Sequence, residues 1–280
     1  MRIPRTYLAL AAALVLSSLA TAQSGVTKYV RYEAGGETSY GILDGDTIRQ
    51  LNGTYLDSPA PTGKTTALAN ATLLAPVEPR KVFAVGFNYK SHLGSRDIPE
   101  VPPIFLKLPT CIIGPGEAIV LPEGARAVQP EAELVIVIGK EAKNVSPEAA
   151  PDYIFGVTCG NDVSARAWQQ SDLQWFRGKA PDTFGPVGPC VVTGLNYNDL
   201  LLQGRLNGET GQSQRTSDLI HNSAAIVSFI SQVATLEPGD VIFTGTPGST
   251  KSIAAGDTVE IELEGVGTLT NPVINATDTQ

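Results

Sequence analysis

Short apolar runs broken by tight turns dominate the chain, and helical stripes are few. Lys28-Tyr29-Val30-Arg31-Tyr32 and Ser39-Tyr40-Gly41-Ile42-Leu43 alternate in polarity, and Asp44-Gly45 behind them is a hairpin signal. This predicts a small antiparallel β region over residues 23–78, with a Pro-, Ser-, Thr- and Gly-rich loop at 57–66 and a boundary near Pro79. From Lys81 onward, the runs 81–86, 134–138 and 154–159 have strand length and strand composition. A turn built around Gly recurs at 114–117, 237–240 and 254–257, each time just ahead of an apolar segment, so each is expected to launch a strand. Regularly spaced short strands of this kind predict a mostly β (α+β), rolled or barrel-like body over residues 79–275. Two helices are expected. One runs from Ser164 to Ser171, capped by Asp162 or Ser164. The other runs from Ser223 to Leu236, with Ile226, Phe229, Ile230 and Val233 on one face, Asn222 or Ser223 as its cap and Pro238 as its stop.

The first residues change the picture of where the protein works. Arg2 and Arg5 precede an almost wholly apolar block, Tyr7 to Leu19, and Ala20-Thr21-Ala22 follows as a small-x-small site. This predicts a signal peptide over residues 1–22, cleaved after Ala22, and a secreted protein. A buried first helix or an uncleaved anchor is the competing reading, although the block is too short to span a bilayer easily. The 280 residues are 42% hydrophobic, enough for a sizeable core, while 28 Gly and 20 Pro disfavour long helices. A net charge of −8, more acidic once Arg2 and Arg5 are lost, with no basic run, argues against nucleic acid and anionic membranes as partners. Cys111, Cys159 and Cys190 lie far apart, which excludes a disulfide scaffold and a CxxC zinc site. They are expected as buried free thiols, or as one disulfide and a free thiol. Sequons at Asn52, Asn70, Asn144 and Asn275 could carry glycans on an exported chain, or could be chance in a Ser- and Thr-rich sequence.

The candidate chemistry is a carboxylate cluster. Glu131 and Glu133 stand two apart at the head of Leu134-Val135-Ile136-Val137-Ile138, so in a strand they share one face with Val135 and Val137. A strand apolar on both faces is buried on both, and two carboxylates aimed inward need a cation beside them. Oxygen ligands without His or Cys suit Mg²⁺, Mn²⁺ or Ca²⁺. The alternative is that both glutamates sit at an exposed, frayed strand end after Pro130. Asp162 likewise reads either as a further ligand or as a plain helix cap.

The ordered motifs from about Lys81 to Val273 resemble the fumarylacetoacetate hydrolase family. Residues 85–92 are similar to its GxNYxxH segment, 103–107 to PxxFxK, 131–134 to ExEL and 161–166 to NDVSAR. Residues 177–189 are similar to RGKxxDTFxxxGP, and 236–248 to LxPGDxIxTGTPxG. The resemblance implies a mixed β-sandwich roll with short helices, a homodimer, and Mg²⁺ or Mn²⁺ held by Glu131, Glu133 and Asp162. The implied substrate is a small 2-oxo acid, acylpyruvate or 1,3-diketone. His92 and Lys179 would be catalytic, while Arg166, Gln169 and Thr246 would bind substrate, Arg166 and Gln169 alternatively tying down the carboxylates. The activity implied first is metal-dependent hydrolytic or lytic C–C cleavage. Isomerisation, tautomerisation or decarboxylation without water attack comes next, and a non-catalytic secreted binder of metal and oxo acid last. One departure bears on this order. The glutamate that the family's hydrolases and decarboxylases place three residues after the equivalent of His92 is Ser95 here, with Asp97 and Glu100 further along the same loop. His221, the other histidine, reads as structural.

Overall fold

A computed structural model describes residues 25–279, so the signal peptide expected at 1–22 lies outside the described residues. The protein is mostly strands with a few short helices. The large sheet runs in the order Pro61–Ala67, Thr47–Leu51, Glu37–Asp44, Thr27–Ala34, Gly185–Thr193, Ile154–Asn161, Ala132–Ile138, Val241–Phe243, Val82–Val85 and Ile104–Lys107. Neighbours along this path are antiparallel except Val241–Phe243 with Val82–Val85. A five-stranded sheet lies across it, in the order Glu209–Arg215, Leu201–Leu206, Thr258–Leu263, Gly267–Asn275 and Ile119–Leu121.

Period-2 alternation sorts the central strand between two cores. Ala132, Leu134, Ile136 and Ile138 pack toward the five-stranded sheet with Leu202, Ile261 and Leu269, and toward the helix residues Ile226 and Ile230. Val135 and Val137 point the other way, to Val187, Val191 and Phe243, where Tyr55 closes the face from the N-terminal region. The Tyr55 ring stacks on Phe155 with centroids 5.1 Å apart, and its hydroxyl donates to Pro76 O at 2.5 Å. The N-terminal strands are continuous with the large sheet, because Thr27–Ala34 pairs with Gly185–Thr193.

Three expectations of local structure are corrected. The 57–66 loop is instead largely strand, since Pro61–Ala67 pairs with Thr47–Leu51 at the sheet's edge. An exposed edge tolerates a leading proline and small polar residues that a central strand would not. The helix expected from Ser164 begins at Arg166 and has no side-chain cap. Ser164–Ala165 pairs with Val128–Gln129, and Arg166 N donates to Ala127 O, so the backbone of a neighbouring segment satisfies the start of this helix. The second helix, Ser223–Val233, is capped by Asn222, whose side chain accepts from Ala225 N at 2.9 Å. Its buried face is Ser223, Ile226, Val227, Ile230 and Ser231, which rotates Val233 into solvent at 80% exposure. Ser228 Oγ donates to Val145 O and Ser231 Oγ accepts from Val145 N, so hydroxyls replace the apolar contact that Val233 was expected to make.

All three cysteines are buried free thiols. The sequon asparagines Asn52, Asn70, Asn144 and Asn275 are all exposed. No helix among the described residues is long and apolar enough to cross a membrane.

Pairing of Ala132–Ile138 with Ile154–Asn161 places Glu133 opposite Gly160 and Ala132 opposite Asn161. A Cβ on Gly160 would lie 2.3 Å from Val135 Cγ2 and 2.7 Å from Phe243 Cε1. Gly160→Ala therefore forces two packed strands apart and is expected to lower the unfolding free energy by about 1–3 kcal/mol. Urea unfolding measures this, and an unchanged midpoint with unchanged slope contradicts the close approach.

Candidate active site

The register that sets Glu133 opposite Gly160 also brings Asp162, the second residue beyond it, beside Glu131, and Asp162 N donates to Glu131 O at 3.0 Å. Carboxylates separated by some thirty residues thus converge where two strands end. Glu131, Glu133 and Asp162 are exposed by only 4%, 1% and 1%, which removes the frayed-end reading. One oxygen from each lies within 4.8 Å of the others. Asn161 fixes the Glu131 backbone, its Oδ1 accepting from Glu131 N at 2.9 Å.

All eight residues singled out in the sequence line one cavity: His92, Glu131, Glu133, Asp162, Arg166, Gln169, Lys179 and Thr246. Lys179 Nζ, from the short Phe176–Lys179 helix, lies between Glu131 Oε2, at 2.5 Å, and Asp162 Oδ2. Arg166 Nη2 donates to Glu131 Oε1. Its Nε reaches Gln129 Oε1 at 2.8 Å and its Nη1 reaches Gln169 Oε1 at 2.9 Å. Arg166 and Gln169 therefore tie a carboxylate in place. His92 Nδ1 lies 2.5 Å from Gly248 O, the geometry of a proton on Nδ1, and its Nε2 lies 3.7 Å from Glu131 Oε1. Thr246 borders the cavity, but its hydroxyl donates to Ala132 O at 2.8 Å and accepts from Gln212 Nε2 at 2.7 Å. In this structure it clamps the 245–248 turn onto the central strand. Gly245 at φ +105° belongs to the same turn, and a Cβ there would meet Asn88 Cβ at 2.6 Å. Its N–H donates to Glu133 Oε2 at 2.6 Å. His221 is held by Asn88, whose Oδ1 accepts from His221 N at 2.7 Å, in keeping with a structural role.

Lys107 is the residue whose part the sequence reading missed. It is buried, donates to Asp162 Oδ1 at 2.7 Å and also donates to Lys179 O. The signal was present as a lysine ending the strand Ile104-Phe105-Leu106-Lys107, but its partners are 55 and 72 residues away.

The electrostatics divide the acids. Burial opposes ionisation of Glu131, but Lys179, Arg166 and His92 outweigh it and hold its carboxyl well below the ordinary range. Burial would likewise lower the Lys179 pKa, and Asp162 with Glu131 raises it instead, so the amine stays an ammonium. Glu133 has no ion pair among the described residues. Burial, then the charges of Asp162 and Glu131, push its carboxyl well above the usual range despite Lys179 and the Gly245 N–H. Three buried carboxylates within reach of one point, one of them lacking a cation, fit a hard divalent ion.

Residues 81–274 match the family model described as fumarylacetoacetate (FAA) hydrolase, C-terminal. The chain belongs to the fumarylacetoacetate hydrolase family. Residues 27–76 match a second model, Rv2993c-like, N-terminal. Protein Rv2993c of Mycobacterium tuberculosis is 50% identical over 81% of this chain and 88% of its own length. Oxaloacetate tautomerase fahd2, mitochondrial, of Xenopus laevis is 38% identical over 74% of this chain and 69% of its own. The crystal structure of 5-carboxymethyl-2-hydroxymuconate delta-isomerase from Mycobacterium smegmatis superposes with a TM-score of 0.85 at 44% identity, covering 89% of this chain and 99% of that one. Members of the family include hydrolases, isomerases and an oxaloacetate tautomerase, and its enzymes bind divalent metals.

Two outcomes follow from the charge arrangement. Glu133 holds its proton at a pH where an ordinary carboxyl is ionised, and a bound cation must displace that proton. Affinity for Mn²⁺ is therefore expected to rise with pH by about tenfold per unit until Glu133 ionises, and then to level off. Calorimetry in buffers of different ionisation enthalpy measures the proton released, and metal binding without release in the range where affinity rises with pH contradicts the assignment. Lys179→Met leaves Glu131 and Asp162 facing each other, so the metal-free protein is expected to lose about 3–5 kcal/mol of stability, with Mn²⁺ restoring much of it. Denaturation with and without metal checks this. Equal losses in both conditions would show that Lys179 does not balance the charge of the acids.

Proposed function

We propose that this chain is a metal-dependent enzyme that enolises a small 2-oxo acid, acting as a tautomerase or isomerase. We take its working form to be an exported homodimer, as the leader-like N-terminus and the family resemblance imply. The observation that carries the reading is the setting of His92. Its Nδ1 is engaged with Gly248 O, its Nε2 faces the acids, and no other carboxylate stands beside it in the cavity. Asp97 and Glu100 are exposed and outside the cavity lining, which supports a reaction that does not rely on a glutamate at this place. Hydrolytic C–C cleavage, expected first from the resemblance, needs a base assembly that activates water. A single imidazole without a partnering glutamate is suited to moving one proton. An isomerase at 44% identity and an oxaloacetate tautomerase at 38% support the same reading, while relatives named as hydrolases are 31% and 28% identical.

The residues divide the work as follows. Glu131, Glu133 and Asp162 would hold the divalent ion, which when bound supplies charge stabilisation at the substrate oxygens. Lys107, Lys179 and Arg166 match the three acids in number although none pairs with Glu133, so a pocket loaded with the ion would be net positive and would attract an oxo-acid anion. His92 Nε2 takes a proton from carbon 3. The C–H electron pair becomes the C2–C3 double bond, and the negative charge moves to the oxygen on carbon 2. His92 then returns the proton to that oxygen in a tautomerase, or to a carbon further along in an isomerase. Lys179, buried and held as an ammonium, supplies fixed positive charge beside the developing enolate.

With Mg²⁺ in D₂O, the enzyme is expected to exchange the carbon-3 hydrogens of oxaloacetate or a related 2-oxo acid without incorporating solvent ¹⁸O into a released acid. His92→Asn should slow exchange by about 10²–10⁴-fold. NMR and mass spectrometry read both. Cleavage products carrying ¹⁸O would instead establish the hydrolase.

A further inference from the structure

The cavity around the acids opens outward into a vestibule that shares Phe87, Trp175, His92 and Arg166 with it. In a chain of net charge −8, no Asp or Glu is among the described residues lining this vestibule. Its basic side chains are His92, Arg166 and Arg96. The first two are engaged, His92 with Gly248 O and Arg166 with Glu131, Gln129 and Gln169. Arg96 is free. It donates one long hydrogen bond, 3.3 Å to Leu93 O, and forms no ion pair among the described residues, whereas six other described arginines do.

Arg96 is nevertheless held in place. Its guanidinium lies 4.9 Å from the centroid of Phe87, a cation–π contact. Phe87 has φ +54°, a conformation an aromatic residue seldom adopts, and its ring packs edge-on against Trp175 at 5.7 Å. The surroundings thus impose a backbone that sets the Phe87 ring in the wall common to cavity and vestibule, with Arg96 over that ring. Arg96 is also four residues from His92 on the same short segment, so base and guanidinium are carried by one piece of chain. An exposed guanidinium resting on an aromatic ring with open donors, in a wall without carboxylates, is the chemistry of carboxylate capture.

We propose that Arg96 is a specificity-determining residue that binds a second, distal carboxylate of the substrate, so that the enzyme prefers 2-oxo diacids to 2-oxo monoacids. This rests on the enolisation reading above. The 2-oxo acid end lies at the buried acids and next to His92 Nε2, and the chain of the substrate runs out past Phe87 to Arg96.

The test compares the Mg²⁺-loaded full chain with Arg96→Gln and Arg96→Lys. The substrates are oxaloacetate and 2-oxoglutarate, each paired with the monoacid of equal carbon count, 2-oxobutanoate and 2-oxopentanoate. Carbon-3 exchange gives kcat and KM, and thermal shift gives binding without turnover. In Arg96→Gln the diacid-to-monoacid ratio of kcat/KM is expected to fall by about 10- to 100-fold, through KM, with Arg96→Lys between the two. A ratio that does not move, or wild-type protein with no preference for diacids, overturns the proposal. If wild type exchanges none of the four acids, enolisation fails, and the binding arm then decides Arg96 separately. Stabilisation by diacids that Arg96→Gln abolishes supports the anchor, and equal stabilisation of both proteins overturns it.

Discussion

The arrangement depends on the antiparallel pairing of Ala132–Ile138 with Ile154–Asn161. Each strand alone presents its acids at an end, with nothing to hold them together. Paired in this register, the ends coincide, and three buried carboxylates meet beside the two cores that flank the central strand. A shift of one residue would send Glu133 to the opposite face. Gly160 permits the close approach, and Gly245 brings a backbone N–H onto Glu133 from the turn that follows Val241–Phe243.

Gathering buried acids in this way is costly, and the structure offsets the cost with cations drawn from three different segments. Lys107 ends an outer strand of the large sheet, Arg166 opens a two-turn helix, and Lys179 closes another short helix. Each reaches Glu131 or Asp162, and none forms an ion pair with Glu133. That asymmetry leaves one carboxyl inclined to keep its proton and makes the cluster receptive to a hard cation. Among the described residues the vestibule lining carries no carboxylate, so an acidic protein presents a basic approach to this cluster of buried acids.

The 245–248 turn joins these parts. Thr246 is pinned to the central strand and to Gln212 of the second sheet, and Gly248 O orients the His92 ring. The imidazole ring is thus oriented by a backbone carbonyl on one side, with Glu131 3.7 Å from its other nitrogen.

The sequence by itself determined the strand-rich body, the two faces of the central strand and the identity of the converging residues. Period-2 alternation is a local property that put Glu131 and Glu133 on one face, and motif resemblance added Asp162. The sequence also narrowed the cap of the second helix to Asn222 or Ser223 and located the Gly-built turns. Only the tertiary structure decided which groups those residues face. Pro61–Ala67 became a strand because an edge partner was available, and Asp162 went to Lys107 and Lys179 instead of a helix end. Val233 turned to solvent because buried serines bonded to Val145. Local pattern sets the direction in which a side chain points. Its partner, its charge state and its freedom to act are set by segments far away in the chain, whose positions exist only after the sheets have packed.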